Sequence, residues 1–167
     1  MHKDKKTKDY LLEPTEKFAR FSDILPEALK KYGIKGVLID LDDTLVTHNC
    51  LIPGDDVTEW LNILRKQGYY VCIVSNNHKK RTTAFAEKLD IGFLYDSFKP
   101  AKFNIYKALH ILNVKPEEAV FIGDQLFTDV KVANTCGLES FLVNPIGNRS
   151  TLFIKFKRIF EKKLNNK

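Results

Sequence analysis

From residue 36 to residue 143 the chain alternates two kinds of segment. Short apolar runs occupy 36–40, 69–74, 92–95, 119–122 and 140–143. Between them, apolar residues recur every three or four positions: Val57, Trp60, Leu61 and Leu64; Phe85, Ala86 and Leu89; Phe103, Tyr106, Leu109 and Ile111; Val130 and Ala133, with Asn134 beside them. The runs are continuous, as in strands covered on both faces. The helical spacing between them predicts crossovers, so the chain is expected to be an α/β protein. Its architecture reads as a Rossmann-like three-layer sandwich around a five-stranded parallel sheet.

The flanks read differently. Residues 1–17 form a polar lead-in with no apolar signal core. Phe18, Phe21, Ile24, Leu25 and Leu29 then fall at helical spacing, with Pro26 suited to a first helical turn. One domain is expected over 18–149. Over 150–167, Leu152, Phe153, Phe156, Ile159 and Phe160 share a helical face flanked by Lys155, Lys157, Arg158, Lys162 and Lys163. That segment predicts a basic amphipathic helix, which either packs on the domain or lies on an anionic membrane. From Pro145 onward there are seven Lys and Arg residues and one acid, which equals the whole chain's excess of +6. The rest is balanced, so a nucleic-acid partner is not expected. No run approaches a membrane span. The expected location is cytoplasmic, or peripheral on a membrane. Cys50, Cys72 and Cys136 fit no zinc spacing.

In parallel sheets, ligands bind at the carboxyl ends of the strands. Four strand ends here carry polar groups: Asp40-Leu-Asp-Asp-Thr44, Ser75-Asn-Asn77, Lys99-Pro100, and Gly123-Asp124 running on to Asp129. Each alone reads as a helix cap or a turn. All four on one sheet edge read as a site. Asp40 and Asp42 are two apart, so in extended chain their side chains point the same way. Asp124 joins them if the fourth of the expected strands lies beside the first. Carboxylates crowded in this way raise one another's pKa values, and a divalent cation relieves that. Oxygen-only ligands suit Mg²⁺. The set suits phosphate-monoester hydrolysis: one carboxylate attacks, a second serves as acid and then base, and Ser75, Lys99 and the amides near Asn76 bind phosphate oxygens.

These residues resemble the haloacid dehalogenase (HAD) superfamily of phosphohydrolases. Val37-Leu-Ile-Asp-Leu-Asp-Asp-Thr-Leu45 is similar to its first motif, Ser75 to the second, Lys99 to the third, and Gly123-Asp124 with Asp129 to the fourth. The resemblance implies that Asp40 is the nucleophile and a metal ligand. It implies that Asp42 is the general acid and base, with its backbone carbonyl on the metal. Ser75, Asn76 and Lys99 would bind phosphate and Asp124 the Mg²⁺, while Thr44 and Asp129 would support the site. An Asp at position 42 resembles the phosphatase branch. More narrowly, Val74-Ser-Asn-Asn77, Lys99-Pro100 and Ile122–Asp129 resemble the YqeG family of subclass IIIA phosphatases. That family is related to mitochondrial phosphatidylglycerophosphate phosphatases, which implies a lipid phosphate as a candidate substrate.

Larger members of the superfamily insert a cap domain after the first or third strand. About a dozen residues separate Thr44 from Val57, and a helix and a short strand fill the stretch from Ser75 to Lys99, so no cap fits. An open site suits a bulky phosphomonoester substrate, or a lid from another subunit in a homo-oligomer. The alternative is a partner-binding or scaffold protein on the same fold, associated with a ribosome or GTPase and with little turnover.

Overall fold

The apolar runs form strands because their side chains have a helix layer to meet on either side. A computed structural model describes residues 8–147. The strands are β1 (Glu16–Phe18), β2 (Gly36–Ile39), β3 (Tyr70–Val74), β4 (Gly92–Leu94), β5 (Ala119–Gly123) and β6 (Glu139–Val143). They make one sheet in the order β1-β6-β5-β2-β3-β4, with every neighbouring pair parallel. The helices are α1 (Pro26–Lys31), α2 (Asp55–Lys66), α3 (Lys79–Leu89), α4 (Phe103–Leu112) and α5 (Lys131–Cys136).

The two-residue period of a strand sorts the core into two layers. Val37, Ile39, Val71, Ile73, Val120 and Ile122 face one side, with Leu29, Trp60, Leu64, Phe85 and Leu89 of α1–α3. Leu38, Cys72, Val74 and Phe121 face the other, with Ile105, Leu109 and Leu112 of α4 and Val132 and Ala133 of α5. Trp60 satisfies its buried indole N–H by donating to the Ile24 carbonyl at 2.9 Å. Cys72 is a core thiol, pushed up to about 12 by burial. Pro26 stands at the start of α1. Gly68, at φ +83°, follows the end of α2, where the left-handed turn suits glycine.

The sheet has six strands, not five. The sixth is β1, which lies partly within the expected lead-in and takes Phe18 out of the expected helix. It is short and mostly polar, so it carries no apolar run. Its place comes from tertiary contacts. Thr15 N–H donates to the Ser140 carbonyl at 2.7 Å, and the rings of Phe18 and Phe141 sit 5.2 Å apart. The Asn134 amide donates to the carbonyls of Tyr10, Leu11 and Glu13, tying that segment to α5.

The helix expected over 150–167 lies outside the described residues. Among those described, no helix is long and apolar enough to cross a membrane. One pairing matters most for the site. β5 lies directly beside β2, with Ile39 opposite Ile122. Asp40 N–H donates to the Ile122 carbonyl at 2.9 Å. The two acidic strand ends are thereby level.

Candidate active site

Asp40 leaves β2 buried, and the chain then turns sharply. Asp43 adopts φ +60°, a left-handed conformation that Asp tolerates better than most residues. The turn buries Thr44, whose hydroxyl donates to Asp124 Oδ1 at 3.2 Å. Asp124 follows β5. Asp129 lies in a π-helical turn, Leu126–Val130, a rare geometry that often marks functional positions. Carboxylate oxygens of Asp40, Asp124 and Asp129 all lie within 4.8 Å of one another.

Gly123 makes that approach possible. A Cβ at position 123 would stand 2.3 Å from Asp129 Oδ2, 2.4 Å from its Cγ and 2.5 Å from its Cβ. Asp129 cannot swing clear, because the Gln125 N–H and Lys99 hold it. Gly123→Ala is therefore expected to destabilise the protein by about 1–3 kcal/mol in denaturant unfolding, as overpacking does. Activity should fall with it. An unchanged unfolding midpoint would show that the contact is soft.

Lys99 reaches the cluster from the loop after β4. Its Nζ lies 2.8 Å from Asp40 Oδ1 and 2.8 Å from Asp129 Oδ1, with both partners nearly inaccessible to water. Burial alone would lower the Lys99 pKa. The carboxylates of Asp129 and Asp40 outweigh it and hold the pKa above the ordinary lysine range. The acids feel burial too. It pushes Asp40 up to about 6, with Lys99 pulling down and Asp129 pushing up. Asp124 is pushed up to about 8, first by burial and then by the charges of Asp129, Asp40 and Asp43. One ammonium does not balance three crowded carboxylates. The donor set is all oxygen and buried, so it fits a hard divalent cation.

Ser75 ends β3, buried. Its Oγ accepts from the Asn77 N–H and from the Asn77 side-chain amide, both at 3.1 Å. Both acceptances leave its own O–H free to donate. Asn76, expected on phosphate, uses its side-chain amide on the chain itself. Its Oδ1 accepts from Lys99 N–H at 2.8 Å and its Nδ2 donates to the Lys99 carbonyl at 3.5 Å. It braces the loop that carries Lys99, where the Lys99–Pro100 peptide is cis.

Asp42 departs from the cluster. Its carboxylate turns toward α3 and meets Arg81, Asn77 and His48. Burial would raise its pKa, but the Arg81, Asn77 and His48 hydrogen bonds hold it below the usual carboxylate range. Asn77 lies in a segment that the sequence marks for the site, but its contact with Asp42 and any role for Arg81 and His48 are not legible there. One signal was available. Lys79, Lys80 and Arg81 crowd the first turn of α3 with no acid among them, and cations there oppose the helix dipole.

A strand-end acid cluster on a parallel sheet has relatives. Residues 48–137 match the haloacid dehalogenase-like hydrolase family. The chain is 35% identical over 151 residues to a protein of Bacillus subtilis named "Probable phosphatase YqeG", covering 90% of this chain and 88% of that one. It is 29% identical over 119 residues to the glyceraldehyde 3-phosphate phosphatase of Pyrococcus furiosus, covering 66% of this chain and 48% of that protein. Among solved structures, the cobalt-bound deoxy-D-mannose-octulosonate 8-phosphate phosphatase of Haemophilus influenzae superposes with a TM-score of 0.56. It is 17% identical and covers 72% of this chain and 84% of its own. That likeness speaks for the fold alone. Fold, acid cluster and relatives together define a phosphatase, an enzyme that hydrolyses phosphoric monoesters. The chain belongs to the haloacid dehalogenase-like hydrolase family.

Proposed function

We propose that this phosphatase is Mg²⁺-dependent and works through a phosphoryl group carried on Asp40. The supporting observation is the buried Asp40 carboxylate, set against Lys99 and within 4.8 Å of oxygens of Asp124 and Asp129. Asp40, Asp124 and the backbone carbonyl of Asp42 would hold the cation, with Asp129 supporting them. When bound, Mg²⁺ supplies positive charge to the phosphoryl oxygens.

The chain's own groups account for the remaining steps. Lys99 Nζ and the Ser75 O–H hold the phosphoryl oxygens. An Asp40 oxygen forms a bond to phosphorus as the bond to the leaving oxygen breaks. Asp42, ionised in the free protein, takes up a proton as the phosphate anion binds beside it and passes that proton to the leaving oxygen. Water then attacks phosphorus, Asp42 takes up a proton from it, and the bond to Asp40 breaks to release inorganic phosphate. Thr44 steadies Asp124 throughout.

The pKa values give the metal reading a pH signature. Asp40 at about 6 and Asp124 at about 8 both lie above the ~3.9 of an unfolded aspartate. Between about pH 4 and 8 the folded state therefore binds more protons than the unfolded one. Without a cation, this cluster's contribution to stability falls as pH rises through that window. A divalent cation binds the ionised acids. The gain in unfolding temperature from Mg²⁺ should thus be small near about pH 5 and largest above about pH 8. At a hundredfold excess over Kd it is worth about 2.7 kcal/mol. No gain at any pH would remove the cation from this site.

The substrate is addressed by a panel of phosphomonoesters assayed with Mg²⁺ and with chelator. It should include soluble sugar phosphates and phosphatidylglycerophosphate in mixed micelles. Leu51 and Ile52, in the loop after β2 that Arg81 joins to Asp42, are exposed apolar residues. They favour a substrate with an apolar portion, such as a lipid phosphate. Brisk turnover of a soluble ester beside an untouched lipid would overturn the lipid reading. A stable partner with no turnover across the panel would favour the scaffold reading.

A further inference from the structure

Arg81 is the third residue of α3 and carries no role in the reaction as written above. It is nevertheless almost as sequestered as the carboxylate it meets, with side-chain exposures of 16% and 15% for Arg81 and Asp42. Its Nη2 and Nε donate to Asp42 Oδ1 at 2.5 and 3.1 Å. Its Nη1 donates to the Cys50 carbonyl at 2.8 Å, and Nη2 also reaches the Thr47 carbonyl at 3.4 Å. One rigid guanidinium therefore joins α3, the Asp42 carboxylate and the loop after β2. A flexible ammonium could not hold that fork.

Leu51 and Ile52, 68% and 59% exposed, do not anchor that loop, whose Cys50 is partly buried against the core. The two oxygens of Asp42 are treated differently. Oδ1 is occupied by Arg81 in a part-buried contact. Oδ2 accepts from the Asn77 amide at 2.7 Å and meets Nδ1 of the exposed His48 at 3.0 Å. A ligand entering from solvent can displace His48 far more readily than Arg81. The Asn77 amide also reaches Ser75 Oγ, so Oδ2 is the oxygen linked to the phosphate-binding hydroxyl.

We propose that Arg81 is a positioning residue for proton transfer: it fixes the Asp42 carboxylate through Oδ1 so that Oδ2 faces the leaving oxygen. This rests on the reading of Asp42 as the general acid. Misplacing an acid by about 1 Å is enough to cost on the order of 10²-fold in rate.

A merely structural arginine and a positioning one differ in their dependence on the leaving group. Good leaving groups depart without a proton, and poor ones do not. The test measures kcat/KM, which covers the steps up to departure of the leaving group, on the full chain with Mg²⁺. The substrates are 4-nitrophenyl phosphate, phenyl phosphate and glycerol 2-phosphate. The variants are Arg81→Ala, Arg81→Lys, Asp42→Asn and the Arg81→Ala/Asp42→Asn double variant, each checked for folding by circular dichroism. Asp42→Asn should lose little on the nitrophenyl ester and about 10²-fold or more on the glycerol ester. Arg81→Ala should show the same trend at smaller size, and Arg81→Lys should recover only part of it. The double variant should be within a few-fold of Asp42→Asn alone, because the two residues act as one unit. Equal loss on all three esters in Arg81→Ala, or losses that multiply in the double variant, would overturn the proposal and leave Asp42 as the acid. A flat Asp42→Asn profile would instead overturn the reading of Asp42. If Arg81→Ala does not fold, Arg81→Lys and its double variant with Asp42→Asn decide the matter on the same slope.

Discussion

Asp40→Asn is expected to lose phosphate release by at least ~10⁴-fold, the scale seen when a covalent nucleophile is removed. The substitution keeps the side chain's shape and removes its charge and its second acceptor oxygen. An amide cannot carry a phosphoryl group through this cycle, so binding and electrostatics alone would remain. Acid quench of the parent enzyme during turnover should leave a phosphoryl mass on the peptide containing Asp40, and the variant should show none. Stability should move the other way. Burial already holds Asp40 at about 6, so at neutral pH its ionised form opposes folding. Without divalent cation above about pH 7, the variant should unfold at a temperature no lower than that of the parent. Inactivity with unchanged or improved stability separates lost chemistry from a lost fold. Retained turnover in a preparation free of contaminating phosphatase would end the mechanism.

The sequence made Asp40 legible because two physical signals coincide there. An uninterrupted apolar run marks a buried parallel strand, and a charged residue at its carboxyl end has no packing reason to be buried. Ser75 and Asp124 stand out in the same way at the ends of β3 and β5. The pairing of β2 with β5 follows from no local pattern, yet it brings Asp40 and Asp124 level. β1 escaped because its three residues carry one apolar side chain and belong to the sheet only through β6. Arg81, His48 and the contact of Asn77 with Asp42 escaped for another reason. Polar residues near a helix start are ordinary as sequence. Only the turn at Asp43 and the course of the following loop bring the Asp42 carboxylate to them. The same turn separates the two motif acids, whose spacing suggested a shared direction. Asp40 faces the acid cluster and Asp42 faces α3. Asp129 joins the cluster through a π-helical turn that its sequence does not signal.

Lys99→Met is expected to damage both activity and stability, and the pH dependence of the stability loss identifies its cause. Methionine keeps most of the side chain's length and removes its charge. The Lys99 ammonium stands between Asp40 and Asp129, 2.8 Å from each, and 4.9 Å from the centre of the Phe121 ring. Bulk water reaches it poorly, since the side chains of Lys99 and Asp129 are 2% and 1% exposed. Breaking a buried pair by removing one partner costs about 3–5 kcal/mol, because the remaining charge is left without compensation. The fold has one way to relieve that cost, which is to protonate the orphaned acids. Without the ammonium the folded variant binds more protons than the folded parent does, so its stability rises more steeply as pH falls. In the parent, Lys99 keeps its charge throughout, because Asp129 and Asp40 hold its pKa above the ordinary value against the opposing effect of burial. The stability gap between parent and variant, measured by denaturant unfolding without divalent cation, should therefore be widest near about pH 8 and should close toward about pH 5. A gap of constant size would trace the loss to packing against Phe121. A gap that widens on acidification would mean the carboxylates do not depend on this lysine, and the electrostatic account of the cluster would fail with it.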